Sequence, residues 1–494
     1  HHPPPPPPPP ATPPPPPVAP PHLRRLPLRL LPLAFSALLP SPASPPLGSH
    51  THIPFLSGMP RRQKVRRSNV APPSARTDGE QHGVRLRLSL TTTIVGCLCL
   101  SSLSTGILYG FPSLLRLLPP LQPQREALLF TLSSSALNLG PAALASVLAT
   151  SARNAISLVY LALALSSLGI AWVIGAGGPT STLLAFLPLA AFVGLLAHGI
   201  LMLLTRLVPT ARRGRLAAAV NAAYCASGWV PGVLALAPAS AAAPLFLVHA
   251  ALMAVGAVWH LVTFPIARAA DVTPPPSGKG DASTSPSLHS TRSSRAADVL
   301  ADPTASFLAT LRRPDLLAHV LFMSVNVLRL QLYVGTVADQ LEALGDRDTA
   351  DLFTWIAPSG GVLLTPLFAR LLDHRHRPLA LGSLIANLLG CATSAAAAVD
   401  TVPAHLVAFV LWSAFRGLLF TFHWTYVAKA FPAKQFGPVN TLVFATTAAV
   451  SFVQLPLRGA LLSALGSYSA LNLLLSLLGI PLLVTPALLA AADI

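Results

Sequence analysis

Charge is the first thing this sequence has little of. Only 10% of its 494 residues are Asp, Glu, Lys or Arg, against roughly 25% in soluble globular domains, too few to cover a water-facing surface. Acidic residues are scarcer still, 16 against 33 Lys and Arg, and none precedes Asp78. Cysteine is nearly absent as well: Cys97, Cys99, Cys225 and Cys391 are the 4 present, all in apolar runs, which excludes a disulfide scaffold. Glycine, at 31, shows no three-residue period, which excludes a collagen-like fibre. There is no HExxH pair, no phosphate-cradling Gly-rich loop ending in Lys-Ser/Thr and no ligand-spaced Cys/His cluster. The run His374-Arg375-His376-Arg377 directly follows Asp373 at a span end and reads as a basic loop, not a metal site. The expectation is a non-enzyme with no cofactor and no metal.

What is present in abundance is apolar sequence, 52% of the chain. From Leu88 onward it falls into runs of about 20 residues, the length that crosses a bilayer core. These runs predict spans near 88–110, 127–149, 155–175, 182–205, 215–237 and 244–266. After a Pro/Ser-rich stretch, six more are expected near 315–337, 352–372, 379–399, 404–427, 438–460 and 468–490. The expected architecture is an all-α membrane protein of twelve transmembrane helices in two six-helix halves, 87–267 and 314–494, joined by a cytoplasmic linker at 268–313. Residues 1–86 hold 25 of the 52 prolines, including the runs 3–10 and 13–17. Such a segment favours polyproline II and cannot pack a core, so a disordered basic tail is expected. The absence of any acidic residue before Asp78 also resembles an organelle transit peptide.

The basic excess, a formal +17, is better explained by membrane topology than by nucleic acid. Ten basic residues lie before residue 87, and juxtamembrane segments of this kind face anionic lipid on the cytoplasmic side. Loops assigned to the inside carry ten basic residues, among them Arg153, Arg206, Arg213, Arg215, Arg375 and Lys429; the opposite loops carry Arg116, Arg125, Arg347 and Arg458. That asymmetry predicts a cytoplasmic N-terminus, linker and C-terminus. The plasma membrane is the expected location, with an organelle membrane as the other possibility.

Polar residues inside an apolar span are costly and mark function or packing. On span seven, Asn326, Arg329, Tyr333 and Thr336 fall within about 80° of one another, and on span ten Trp412, Ser413, Arg416, Phe420 and His423 fall within about 100°. Weaker stripes add Ser101, Ser102, Thr105 and Tyr109 on span one, His198 and Thr205 on span four, and Asn221, Tyr224 and Gly228 on span five. Ser and Gly at such positions commonly serve helix packing, and a lone membrane His usually serves a hydrogen bond.

Several stretches resemble a known family. Six helices, a linker and six helices is the pattern of the major facilitator superfamily. Leu328-Arg329-Leu330-Gln331-Leu332-Tyr333-Val334-Gly335 is similar to the LR-x-x-(F/L)-Y-x-G signature of solute carrier family 43, the system-L-type transporters, and of their fungal and apicomplexan amino-acid transporter relatives. Pro358-Ser359-Gly360 through Pro366 to Asp373, Phe431-Pro432-Ala433-Lys434-Gln435-Phe436-Gly437 with Gln454-Leu455-Pro456, and Gly110-Phe111-Pro112-Ser113-Leu114 resemble further segments of that family. The loop Ala149-Thr150-Ser151-Ala152-Arg153-Asn154 departs from it, lacking the Asp of the superfamily's gating motif, and Ala338 stands where Asn is expected. The resemblance covers about residues 88–490. It implies facilitated transport of neutral, large apolar amino acids.

Together these readings give an alternating-access carrier with its small-molecule site at mid-membrane, between the halves. A substrate carboxylate would pair with Arg416, or else Arg329, because a guanidinium offers a bidentate, permanently charged fork. Trp412, Phe420, Tyr333 and Tyr109 would line the side-chain pocket, with Asn326, His423, Thr105, His198, Asn221 and Tyr224 nearby. Asp373 and Arg375 would gate the inner side. Without an Asp or Glu deep in any span, uncoupled transport is expected. The alternatives are a transport-inactive receptor or scaffold on the same fold, and a carrier for other small organic anions.

Overall fold

The computed structural model describes residues 90–104, 123–150, 152–176, 179–207, 213–234, 236–263, 303–373 and 376–492, all within the compact unit Ser57–Ile494. The expected tail, most of the linker, Thr105, Tyr109 and Arg375 lie outside them. The first half comprises α1 (Leu90–Ser104), α2 (Pro123–Thr150), α3 (Ala152–Ala176), α4 (Pro179–Leu207), α5 (Arg213–Ala226), α6 (Trp229–Leu234) and α7 (Ala242–Thr263). The second comprises α8 (Pro303–Leu311), α9 (Pro314–Val334), α10 (Val337–Ala343), α11 (Ala350–Leu363), α12 (Thr365–Leu372), α13 (Pro378–Ala397), α14 (Val402–Ala430), α15 (Ala433–Leu465), α16 (Tyr468–Leu477) and α17 (Val484–Ala491). The short α8 stands inside the stretch expected to be linker.

Seven helices among the described residues are long and apolar enough to cross a membrane, eight if α11 and α12, bent by 42°, form one span. Their lipid-side faces carry the exposed apolar residues, such as Leu158, Leu165 and Trp172 on α3 and Val407 and Val410 on α14. Helices α1, α2, α4 and α5 stand at the remaining expected positions without meeting that measure. The polar residues of α2, Ser133, Ser134, Ser135 and Asn138, are all buried within the protein, and α5 opens on Arg213 and Arg215.

Local sequence sets the ends of the helices. Proline occupies the first turn of α9, α13 and α14, where its missing N–H has no intrahelical acceptor to lose. Gly466 closes α15 in the left-handed region, at φ 73°. The Ser467 hydroxyl then caps α16 by accepting from the Ala470 N–H at 3.1 Å. Buried hydroxyls such as Ser101, Ser167 and Thr336 donate to the carbonyl four residues back, which satisfies them within their own helix.

The halves meet along two seams. Helix α2 packs against α15, and α5 packs against α11, α12 and α14. In the second seam both partners are broken, α5 from α6 at Ser227 and Gly228, and α11 from α12 at Leu364. The breaks bring backbone close to backbone. A Cβ on Gly417 of α14 would stand 2.8 Å from the Gly361 Cα, and one on Gly361 would overlap the Cys225 sulfur, so only glycine permits this crossing.

Candidate functional site

Between the halves lies a cavity of about 30 Å³, room for one or two waters. Phe130, Ser134, Leu137 and Asn138 of α2 form one wall. Val327, Leu330, Gln331 and Val334 of α9, with Trp412 and Phe420 of α14, form the other. The Trp412 indole donates to the Leu330 carbonyl at 3.3 Å, which fixes its ring over the cavity. The Ser134 hydroxyl donates to Phe130 of its own helix. The Asn138 Nδ2 and the Gln331 Oε1 are buried without hydrogen-bond partners, a condition that costs about 1–3 kcal/mol per group in a dry interior.

Arg416 sits one turn from Trp412 and turns toward the first half. It is 1% exposed, and its Nη1 donates to the Cys225 Sγ at 3.1 Å. Its guanidinium carbon stands 5.2 Å from the Tyr224 ring centroid and 6.0 Å from that of Trp412, within cation–π range. Asn221, one turn before Cys225, donates to the Gly417 carbonyl at 2.7 Å and to Thr421 at 2.9 Å. Helices α5 and α14 are thus joined by polar groups across the middle of the molecule.

The two expected stripes do not form one wall. On α9, Asn326, Arg329 and Tyr333 point into the second half, away from the cavity. Arg329, 2% exposed, donates to the Asn326 Oδ1 at 3.1 Å and the Asn387 Oδ1 at 3.4 Å, and lies 5.8 Å from the Phe415 ring. Its Nε and Nη2 have no partner among the described residues. Tyr333 meets His405 at 3.2 Å and packs on Phe353 and Phe409. On α14, Ser413 clamps α11, accepting from the Gly360 N–H at 2.6 Å. His423 also turns into the second half. The Asn440 Nδ2 donates to the Phe436 carbonyl, so its Oδ1 accepts the His423 Nε2 proton at 2.8 Å. The His423 Nδ1 is then the acceptor for His319, at 2.9 Å. His198 lies on α4, and nothing of its side chain is described.

Other contacts join the halves outside the cavity lining. The Gln454 Nε2 donates to Thr131 at 2.7 Å beside a second cavity of about 20 Å³ that Gln331 also lines, and the Trp229 indole donates to the Trp355 carbonyl at 3.1 Å. Asp373 receives Arg215 of the first half at 3.3 Å and Lys429 of its own half at 3.6 Å. Arg215 is 74% exposed, so this latch is worth little in free energy and opens readily.

Sequence reasoning passed over Gln331, Ser134, Asn138, Phe130, Cys225 and Gln454 as site residues. Gln331 is a single amide among leucines, and the α2 residues sit in a Ser-rich stretch that reads as packing. Their signal was the run of polar residues in α2 that no lipid-facing helix would carry.

No family model matches the chain. The fold is similar to that of solved major facilitator superfamily transporters. The proton:xylose symporter XylE matches at a TM-score of 0.58 and 14% identity, covering 81% of this chain and 95% of that one. The human organic anion transporter MFSD10 matches at 0.57 and 16%, covering 81% and 98%, and the transporter FucP at 0.58 and 15%, covering 81% and 98%. At these identities the likeness is one of fold. In sequence, the equilibrative nucleobase transporter 1 of Bos taurus is 28% identical over 176 residues, 31% of this chain and 36% of that protein. The chain therefore spans about a third of the length of the curated relative it matches. The narrower resemblance to solute carrier family 43 rests on the motifs quoted above.

Proposed function

We propose that the chain is an alternating-access carrier that moves a small organic solute across a membrane without ion coupling. The observation that carries this is the cavity lined by α2 of one half and by α9 and α14 of the other, with the halves also joined by Gln454–Thr131 and by Arg215–Asp373. A site buried between two bodies that breakable contacts join is what rocking of the halves requires. Twelve spans in two halves, with the Arg215 end toward the cytoplasm and the plasma membrane as location, complete the proposal.

The chemistry of the lining suits a planar uncharged solute of the nucleobase class, which would enter as the halves part, since the closed cavity has room only for water. Phe130, Trp412 and Phe420 supply ring surfaces, Asn138 and Gln331 supply neutral amides, and among the described residues no carboxylate lines the cavity to hold an ammonium group. The matched relative is named for nucleobase transport. A second reading, neutral amino acids, is favoured by Arg416, whose fork next to the cavity wall suits a carboxylate.

The test is uptake of radiolabelled nucleobases, neutral amino acids and small organic anions into proteoliposomes of the full chain. Saturable flux and exchange without an ion gradient are expected. Silence across the panel from correctly folded protein would overturn the carrier reading in favour of a receptor or scaffold.

A further inference from the structure

Most buried carboxamides of the described residues are satisfied. Asn221 donates to Gly417 and Thr421, Asn326 to Phe322, Asn387 to Gly479, Asn440 to Phe436, Asn472 to Gln340 and Ala397, and Gln454 to Thr131. Two depart from this pattern. The Asn138 Nδ2 and the Gln331 Oε1 are buried without partners, and both residues line the same cavity, one from each half. Asn138 is 1% exposed. Buried polar atoms are paired almost everywhere in folded proteins, so a donor and an acceptor left unpaired on facing walls mark where another molecule belongs.

Their chemistry is specific. An amide N–H₂ donor wants a carbonyl or ring nitrogen, and an amide oxygen wants an N–H. A solute bridging them presents an acceptor and a donor side by side on one edge. Phe130, Trp412 and Phe420 around that edge favour a flat ring, as in proteins that read unpaired bases by stacking and by amide contacts to their edges. Both amides are neutral, and the helices that carry them, α2 and α9, belong to opposite halves, so bound solute would hold the halves together.

We propose that Asn138 and Gln331 form the substrate-selecting pair, reading the adjacent carbonyl and N–H of a lactam-type heterocycle such as a pyrimidine or oxopurine base. The proposal rests on the carrier reading above and assigns the residues that select its solute. Asn138 donates to the solute carbonyl, and Gln331 accepts from the solute N–H.

The experiment uses the full chain in proteoliposomes, with uracil and 1,3-dimethyluracil as probes and L-leucine as a control. Dimethylation removes both N–H donors and keeps the ring and both carbonyls. In the unaltered protein uracil should bind at least about tenfold more tightly than its dimethyl analogue, since a site built for an N–H rejects the analogue lacking it. Gln331→Leu should weaken uracil by about tenfold and leave dimethyluracil nearly unchanged, so the ratio collapses. Asn138→Leu should weaken both solutes together, because both keep their carbonyls. Gln331→Glu, which retains an acceptor oxygen, should retain the preference for uracil, and it serves if the leucine variant fails to fold.

If uracil is carried but Gln331→Leu and Asn138→Leu leave both affinities unchanged, the pair does not select the solute. Transport of L-leucine with no flux of either pyrimidine would also overturn the proposal and leave the carrier reading standing. Absence of flux for every solute would overturn the carrier reading, and the proposal with it.

Discussion

Arg416 and Cys225 lie 191 positions apart in sequence and meet at 3.1 Å, with the guanidinium of one half donating to the thiol of the other. Gly361 and Gly417 make the approach possible, since a side chain on either would fill the space between α5, α11 and α14. The contact is a sulfur acceptor against a cation, weaker than a carboxylate pair, which suits the proposed rocking of the halves.

Arg416 and Arg329 should behave differently when replaced by lysine. Arg416→Lys loses the planar fork beside the cavity, and a charge-assisted contact is typically worth about 1.5–3 kcal/mol, or roughly ten- to more than a hundred-fold in affinity for an anionic or carbonyl-bearing solute. Arg329→Lys instead disturbs Asn326 and Asn387 inside the second half, so lower thermal stability is expected with affinity changed less than about threefold. Binding and thermal unfolding of both variants, at equal expression, check this; a larger affinity loss in Arg329→Lys would move the anion site to α9.

Cys225 is buried and faces the Gly361–Gly417 crossing, which the proposed rocking would open. Small methanethiosulfonate reagents should modify it slowly, and saturating solute should slow modification further by holding the halves closed. Labelling of a variant lacking the other three cysteines, read by mass spectrometry, gives the rates. Rapid labelling unaffected by solute would show that the crossing stays open.

Asp373→Asn removes the acceptor that Arg215 and Lys429 share. The Arg215 pair lies at the surface, where such pairs contribute about 0–1 kcal/mol, and Lys429 keeps its hydrogen bond to the Leu372 carbonyl, so thermal stability should change little. The equilibrium between closed and open states should shift several-fold, and Cys225 labelling from the Arg215 side should speed up correspondingly.

Gly361→Leu should abolish transport, since its side chain would collide with Cys225 and prevent closure. Uptake near background, with the protein still extractable as a monodisperse species, is the expected result.

An inward proton gradient should not drive solute above equilibrium. His319 is hydrogen-bonded to His423, and His423 to Asn440, inside the second half and away from the cavity, and among the described residues no carboxylate lines the cavity itself. Accumulation under the gradient would refute uncoupled transport and make that histidine pair the first candidate for the proton site.

Three of the motifs that carried the family resemblance lie among the described residues and sit at clamps, while Gly110–Leu114 lies outside them. Gly335, which ends the Leu328-to-Gly335 stretch, offers its carbonyl to Arg458 at 3.3 Å. Gly360 of the Pro358-Ser359-Gly360 segment donates to Ser413, Gln435 accepts from Thr310, and Gln454 bridges to Thr131. Such residues are legible in one sequence because each must occupy a fixed place on its helix. What each one touches is not legible, because the partner lies on a helix far away in the chain.

The same division holds for the molecule as a whole. Hydropathy alone determined that the chain is a bundle of apolar helices, where most of them begin and end, and which positions are too polar to face lipid, because a bilayer penalises each residue separately. Tertiary structure decided the direction in which each polar stripe points. Helical periodicity shows that Arg329, Asn326 and Tyr333 share a face but cannot say whether that face meets the other half or its own. Packing turned that face inward against α13 and α14, and left Gln331, one polar residue in a run of leucines, to meet Asn138 across the cavity. Rotation of a helix about its axis is set by neighbours distant in sequence, and only the assembled halves fix it.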